Sequence, residues 1–216
     1  MRFDEVLRRL EPLPEVLPEG PEALIPVFTD TGGQRPRPPW DAADASARPA
    51  AVLVLIFPDD AGAARLVLTE RADRGGHHSG EVSFPGGRAE PGDVDVVATA
   101  LREAAEEVGL DTVAAGVRVL GILTTQWIPV SNFTVTPVVA VAERRPLMTP
   151  QPSEVAAILE APVGAFLPDE ELVWVEREIR GWDLRYAAYP IDGLAVWGMT
   201  ARVLGGLGAW LAGRAC

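Results

Sequence analysis

The chain contains no lysine, and all 19 of its basic residues are arginine. A Walker-type phosphate loop therefore lacks its lysine, and Schiff-base chemistry lacks its amine. Cysteine is nearly as scarce. Cys216 stands alone at the last position, which excludes an internal disulfide and makes a poor nucleophile. The two histidines, His77 and His78, are adjacent, so they cannot build a helical zinc motif. No apolar run approaches the roughly 20 residues that span a bilayer. Residues 1–10 interleave charges with apolar positions, unlike a secretory signal. A cytoplasmic protein without a membrane partner is the expectation. A formal net charge of −12 argues against a nonspecific nucleic-acid binder, which carries a basic footprint. It also leaves attraction of an anionic substrate to local arginines and a bound cation.

At 216 residues the chain is long enough for one cored domain with an extension. Residues 1–49 read as a short amphipathic helix over 3–10 and then a Pro/Gly/Ala-rich extension, with a short strand near 23–27. Residues 50–212 read as the domain and 213–216 as a tail. Within the domain, strands are expected at 51–57, 65–69, 117–123, 133–142, 172–177 and 184–189. Pro137 inside the 133–142 run implies an edge position or a bulge. Helices are expected at 94–108, from Ser153 or Glu154 to Pro162 with Ser153 as N-cap, and at 197–211. Strands and helices mix without regular βαβ alternation, which favours a mixed sheet with helices on both faces.

The chemistry concentrates in residues 84–110. A Phe84-Pro85-Gly86-Gly87 turn precedes the helix that carries Arg102, Glu103, Glu106 and Glu107. At about 100° per residue, the three glutamates share an arc roughly 100° wide, opposite Leu101, Ala104, Ala105 and Val108. Exposed glutamates are ordinarily solvated, and Arg102 with Glu106 makes an ordinary i,i+4 pair. Three ionised carboxylates in one turn nonetheless repel. A hard divalent cation such as Mg²⁺ or Mn²⁺, with its oxygen ligands, removes the conflict.

This segment resembles the Nudix box, G-x5-E-x7-R-E-U-x-E-E-x-G-U with U apolar. Arg102 to Leu110 match every fixed position of its second half. In the first half, Asp93 takes the acidic position, and eight residues rather than seven separate it from Arg102. That expansion resembles the coenzyme A diphosphatase branch. So does residues 68–87, which is similar to the branch's L-T-x-R-[SA], H-x-G-[EQ]-V and F-P-G-G signature through Arg71, His78, Gly80, Glu81 and residues 84–87. Gly75 and Gly76 stand where apolar and arginine residues often occur. Residues 135–139 and 196–201 resemble the branch's later strand and helix motifs, although Trp197 reads as packing.

The resemblance implies an α/β (α+β) fold, a Nudix-type α/β/α sandwich with a mixed β-sheet between helices. It implies Mg²⁺ or Mn²⁺ held by Glu103 and Glu107, with Glu106 as a further ligand or the base. The Gly87 carbonyl completes the shell and Arg102 holds a glutamate in place. Arg71, Arg74 and His78 would contact a small-molecule nucleotide. The implied reaction hydrolyses coenzyme A or an acyl-CoA to 3′,5′-ADP and (acyl-)4′-phosphopantetheine. Alternatives are a Nudix hydrolase of ADP-ribose, NADH, a dinucleoside polyphosphate or a nucleoside triphosphate, or a noncatalytic nucleotide sensor. An isopentenyl-diphosphate isomerase would need a catalytic cysteine that Cys216 is poorly placed to supply. Glu154 reads either as an added acidic group near the metal or as a helix-dipole partner. Oligomeric state stays open, a homodimer included.

Overall fold

The computed structural model describes residues 1–29, 46–72, 81–129, 131–179 and 182–213. In chain order the elements begin with α1 (Phe3–Leu10) and β1 (Val27–Phe28), followed by β2 (Arg48–Pro58), β3 (Ala64–Arg71), β4 (Val82–Ser83) and β5 (Gly86–Arg88). Then come α2 (Val96–Val108), α3 (Thr112–Ala115), β6 (Val117–Ile122), β7 (Gln126–Ile128), β8 (Phe133–Ala142) and β9 (Val155–Pro162). The chain closes with β10 (Val173–Ile179), β11 (Trp182–Ile191), β12 (Leu194–Val196) and α4 (Gly198–Leu211).

Strands β2 to β9 form one mixed sheet, in which β2 and β8 run parallel and the other pairings are antiparallel. Alternation along β2 explains why both sheet faces are covered. Ala51, Leu53, Leu55 and Phe57 meet Ala100, Ala104 and Val108 of α2, whereas Val52, Val54 and Ile56 join the cluster that holds Leu204, Leu207 and Leu211 of α4. Each fully buried leucine here contributes about 1.5–3 kcal/mol. This is the expected α/β/α sandwich. Val6 and Leu10 of α1 are buried in the α4-side cluster. A smaller antiparallel sheet of β1, β11 and β10, with β12 beside β11, packs its Tyr189 and Ile191 into the same cluster. No described helix is long and apolar enough to cross a membrane.

The expected helix from residue 153 to 162 is instead strand β9. Its burial follows a two-residue period, with Val155, Leu159 and Ala161 inward, and it pairs with the free side of β3 from Arg65 to Arg71. Ser153 is accordingly not a helix cap. Pro137 is not on an edge either, because β8 lies between β2 and the β6–β7 pair. It falls where the partner strand changes, between Ile122 opposite Val138 and Gln126 opposite Val135. Its carbonyl still accepts from Leu123 N–H at 2.9 Å. Near residues 23–27 the chain forms a 3-10 turn, Glu22–Leu24, before β1.

β9 covers one side of β3 while β2 takes only residues 64–66 of the other, so the two strands part beyond that point. β4 fills the gap beside β3, and β5 lies along residues 50–52 of β2. The wedge places Phe84 to Gly87 against α2.

Candidate active site

Asp95 starts α2 by accepting from Ala98 N–H at 2.8 Å, and Gly109 ends it in the left-handed conformation at φ 66°. Between these caps the apolar stripe fixes the roll of the helix, so its acidic face meets β5. Contact there is close. A Cβ on Gly86 would lie 2.4 Å from the Ala51 carbonyl oxygen, and one on Gly87 would lie 2.5 Å from the Glu103 carboxyl carbon. Only glycine fits at Gly86, where the neighbours are main chain, whereas a side chain at Gly87 would displace the Glu103 carboxylate.

Gly86 N–H donates to Glu107 Oε2 at 2.9 Å, and the Glu107 side chain is buried, with 4% of the residue exposed. Burial pushes its carboxyl up to about 7, against the Gly86 hydrogen bond and the Arg71 charge, which favour ionisation; Glu103 and Glu154 add repulsion. The Glu103 carboxyl is raised mainly by burial too. Arg102 opposes that shift, and Glu106 and Glu154 reinforce it.

Arg102 organises the acidic face. Its Nε and Nη2 donate to the two oxygens of Asp93 at 2.9 and 3.0 Å, a bidentate pair. Nη1 donates to Glu103 Oε1 at 3.1 Å and Glu106 Oε2 at 3.0 Å, while Nη2 also reaches the Arg88 carbonyl at 3.0 Å. The Arg102 bond, with the Glu90 N–H and the Thr99 hydroxyl, holds the Asp93 carboxyl well below the usual carboxylate range. Asp93 thus locks the arginine that orients two glutamates. Glu106 remains the open member, its side chain 59% exposed against 14% for Glu103.

The far end of the face is closed by main chain. Gln151 N–H donates to the Glu107 carbonyl and Thr149 N–H to that of Val108, while Ala72 N–H donates to the Glu154 carbonyl. These bonds bring Glu154 and the end of β3, with Arg71, alongside the last turn of α2. Of the expected substrate contacts, Arg71 is exposed at this margin, and Arg74 and His78 lie outside the described residues. The sequence reading missed Gly86 as the donor to Glu107 and left the place of Glu154 open. A second glycine beside Gly87 and an acidic residue before a strand were the only traces of either. Trp197 stacks on Tyr186 at 4.8 Å, in keeping with packing.

Among the described residues, no three His, Cys, Asp or Glu side chains already converge closely enough to hold an ion. The donor chemistry nonetheless fits Mg²⁺ or Mn²⁺. Glu103, half-buried, and Glu107, buried, offer hard carboxylate oxygens whose charge is disfavoured by burial and by neighbouring carboxylates, and the Gly87 backbone packs against Glu103.

The raised Glu107 carboxyl gives the metal-free protein a pH signature. It stands at the ordinary 4.5 in the unfolded chain and about 7 in the fold. Between these values the folded state holds more protons at this group, so its contribution to stability is full below 4.5 and is lost as pH rises to about 7. Glu107→Gln should remove that fall. In chelator, the variant should gain several degrees in unfolding midpoint on the wild type between pH 5 and pH 8. Midpoints that move in parallel would contradict the buried-carboxylate assignment.

The NUDIX domain profile matches residues 47–183. Nudix hydrolase 22, chloroplastic, of Arabidopsis thaliana is 40% identical over 162 residues, covering 72% of this chain and 52% of its own length. Nudix hydrolase 15, mitochondrial, of the same plant is 37% identical over 163 residues, covering 72% and 55%. An uncharacterized Nudix hydrolase, NudL, of Photorhabdus laumondii subsp. laumondii is 33% identical over 174 residues, covering 79% of this chain and 88% of its own. The chain spans about half the length of the two plant relatives and most of the bacterial one.

Proposed function

The chain belongs to the Nudix family, and from that membership we propose that it hydrolyses the phosphoanhydride of a nucleoside diphosphate derivative. One observation carries the reading. Glu103, half-buried, and Glu107, buried, share one helix face against Gly86 and Gly87, and Arg102 ties Glu103 to Glu106. A noncatalytic sensor gives no reason to keep this set whole.

A divalent cation held by Glu103 and Glu107, with the Gly87 carbonyl, would neutralise phosphoryl charge and acidify water. The chain's own groups do the rest. Gly86 N–H fixes Glu107. Arg102, itself locked by Asp93, occupies Glu106 Oε2. Oε1 of the exposed Glu106 side chain takes the proton of the attacking water. Arg71, at the margin of the face, offers a planar donor pair to substrate phosphate.

For substrate, the signature over residues 68–87 supports coenzyme A or an acyl-CoA, cleaved to 3′,5′-ADP and (acyl-)4′-phosphopantetheine. Gly75 and Gly76, which thin the basic stretch of that signature, favour a second reading in which ADP-ribose, NADH, a dinucleoside polyphosphate or a nucleoside triphosphate is cleaved by the same groups. Purified protein with Mg²⁺ should be assayed against all of these. Coenzyme A as the best substrate by kcat/KM supports the first reading, and any other leader supports the second. Turnover of none of them defeats both.

Arg71→Ala separates the readings further. If Arg71 meets the 3′-phosphate, kcat/KM should fall by about tenfold for coenzyme A and much less for dephospho-CoA. Equal losses on the two substrates would move Arg71 to the diphosphate.

A further inference from the structure

On the α4 side of the sheet, opposite the face that α2 covers, a cavity of about 500 Å³ opens between residues 15–25, residues 123–126 and α4. This is the size of pocket that takes a small organic molecule. The sequence builds it deliberately. Glycine inside a helix is unfavourable, yet α4 carries Gly205 and Gly206 where residues 15–25 cross it. A Cβ on Gly206 would lie 2.8 Å from the Pro18 carbonyl oxygen, and one on Gly205 would lie 2.9 Å from Leu24 Cδ1. Gly20 answers from the crossing segment, since its Cβ would lie 2.8 Å from the Gly205 carbonyl carbon. Thr124 ties the segment down from the other side, donating its N–H and hydroxyl to the Glu15 carbonyl at 2.9 and 3.3 Å. The walls are therefore held before any ligand arrives.

The cavity is lined by charges of both signs. Arg202 of α4 lines it, and its Nη2 donates to the neutral amide oxygen of Gln126 at 2.6 Å. Glu15, Glu19 and Glu22 line the same cavity, yet among the described residues no carboxylate pairs with Arg202. The guanidinium is open to solvent but ringed by protein, and that burial disfavours its charge. Arg202 lies on α4 and the three glutamates on the crossing segment, so a bound molecule that carries both charges would engage both walls of the cavity. A multiply charged anion would meet the glutamates, and a simple cation would meet Arg202.

We propose that this cavity binds a small zwitterion, with its carboxylate on Arg202, its ammonium toward Glu15, Glu19 and Glu22, and an apolar body between them. The site shares no residue with the carboxylate face of α2 and does not depend on the reaction assigned there.

Calorimetric titration of the full chain with three probes of one length tests it: 6-aminohexanoate, hexanoate and hexylamine. The zwitterion should bind saturably and at least about tenfold more tightly than either singly charged probe, the worth of one charge-assisted contact. Arg202→Gln should reduce 6-aminohexanoate to the affinity of hexylamine, and Arg202→Lys, which keeps the charge, should restore most of it. Hexanoate or hexylamine binding as tightly as the zwitterion overturns the proposal, as does the absence of saturable binding by any probe. Undiminished binding to a folded Arg202→Gln protein overturns it as well. Should that variant fail to fold, the ranking of the three probes on the wild type still decides.

Discussion

Glu107→Gln should lower kcat by at least about a hundredfold while leaving the protein folded. The substitution keeps the volume of the buried side chain and an oxygen able to accept from Gly86 N–H, so the packing of α2 on β5 survives. The negative charge that burial disfavours, and that only a cation would reward, is lost. Stability measured in chelator and activity measured in Mg²⁺ should therefore move in opposite directions. The variant should be the more stable protein above neutral pH and the nearly inactive one when Mg²⁺ is restored. Steady-state kinetics at saturating Mg²⁺, beside circular dichroism on the same preparation, checks both halves. A folded variant with near-wild-type kcat would remove Glu107 from the metal site.

The second large effect divides two adjacent glycines. At Gly86, an alanine Cβ would meet the Ala51 carbonyl oxygen at 2.4 Å and Val52 Cα at 2.6 Å, both main-chain atoms of a central strand. Neither can retreat without distorting β2, so Gly86→Ala should cost stability by about 1–3 kcal/mol or more. At Gly87, the Cβ would meet only the end of the Glu103 side chain. That side chain can swing away, so Gly87→Ala should unfold near the wild-type midpoint. Its kcat should nonetheless drop by about tenfold or more, because Glu103 leaves the face it shares with Glu107. Thermal unfolding and kcat on the two variants give the comparison. Full activity in Gly87→Ala would mean that the position of Glu103 is not critical to turnover.

Much of this arrangement was legible in the sequence because it is local. The arc of Glu103, Glu106 and Glu107 follows from helical spacing, and the helix expected over 94–108 forms over Val96–Val108. What could not be read depended on contacts between distant segments. Residues 155–162 carry alanine, leucine and glutamate, which suit a helix, but β3 has an open side and the segment fills it as β9. Pro137 pointed to an edge position or a bulge, and it sits inside the sheet where two short partner strands leave a gap. The bond from Gly86 to Glu107 joins residues 21 apart, and no spacing rule announces it. Asp93 shows both sides. Its displaced register was visible, whereas its bidentate hold on Arg102 emerged only from the fold.

The most direct test of the central claim follows one cleaved substrate through removal and return of the metal. Wild-type protein should be assayed in Mg²⁺, after chelation, and again after Mg²⁺ or Mn²⁺ is added back, with both phosphate-bearing products quantified. The expected result is loss of turnover in chelator and its return with either ion, the two products appearing in equal amounts. Full turnover in chelator would contradict the assignment of the Glu103 and Glu107 face as a metal-dependent hydrolytic site.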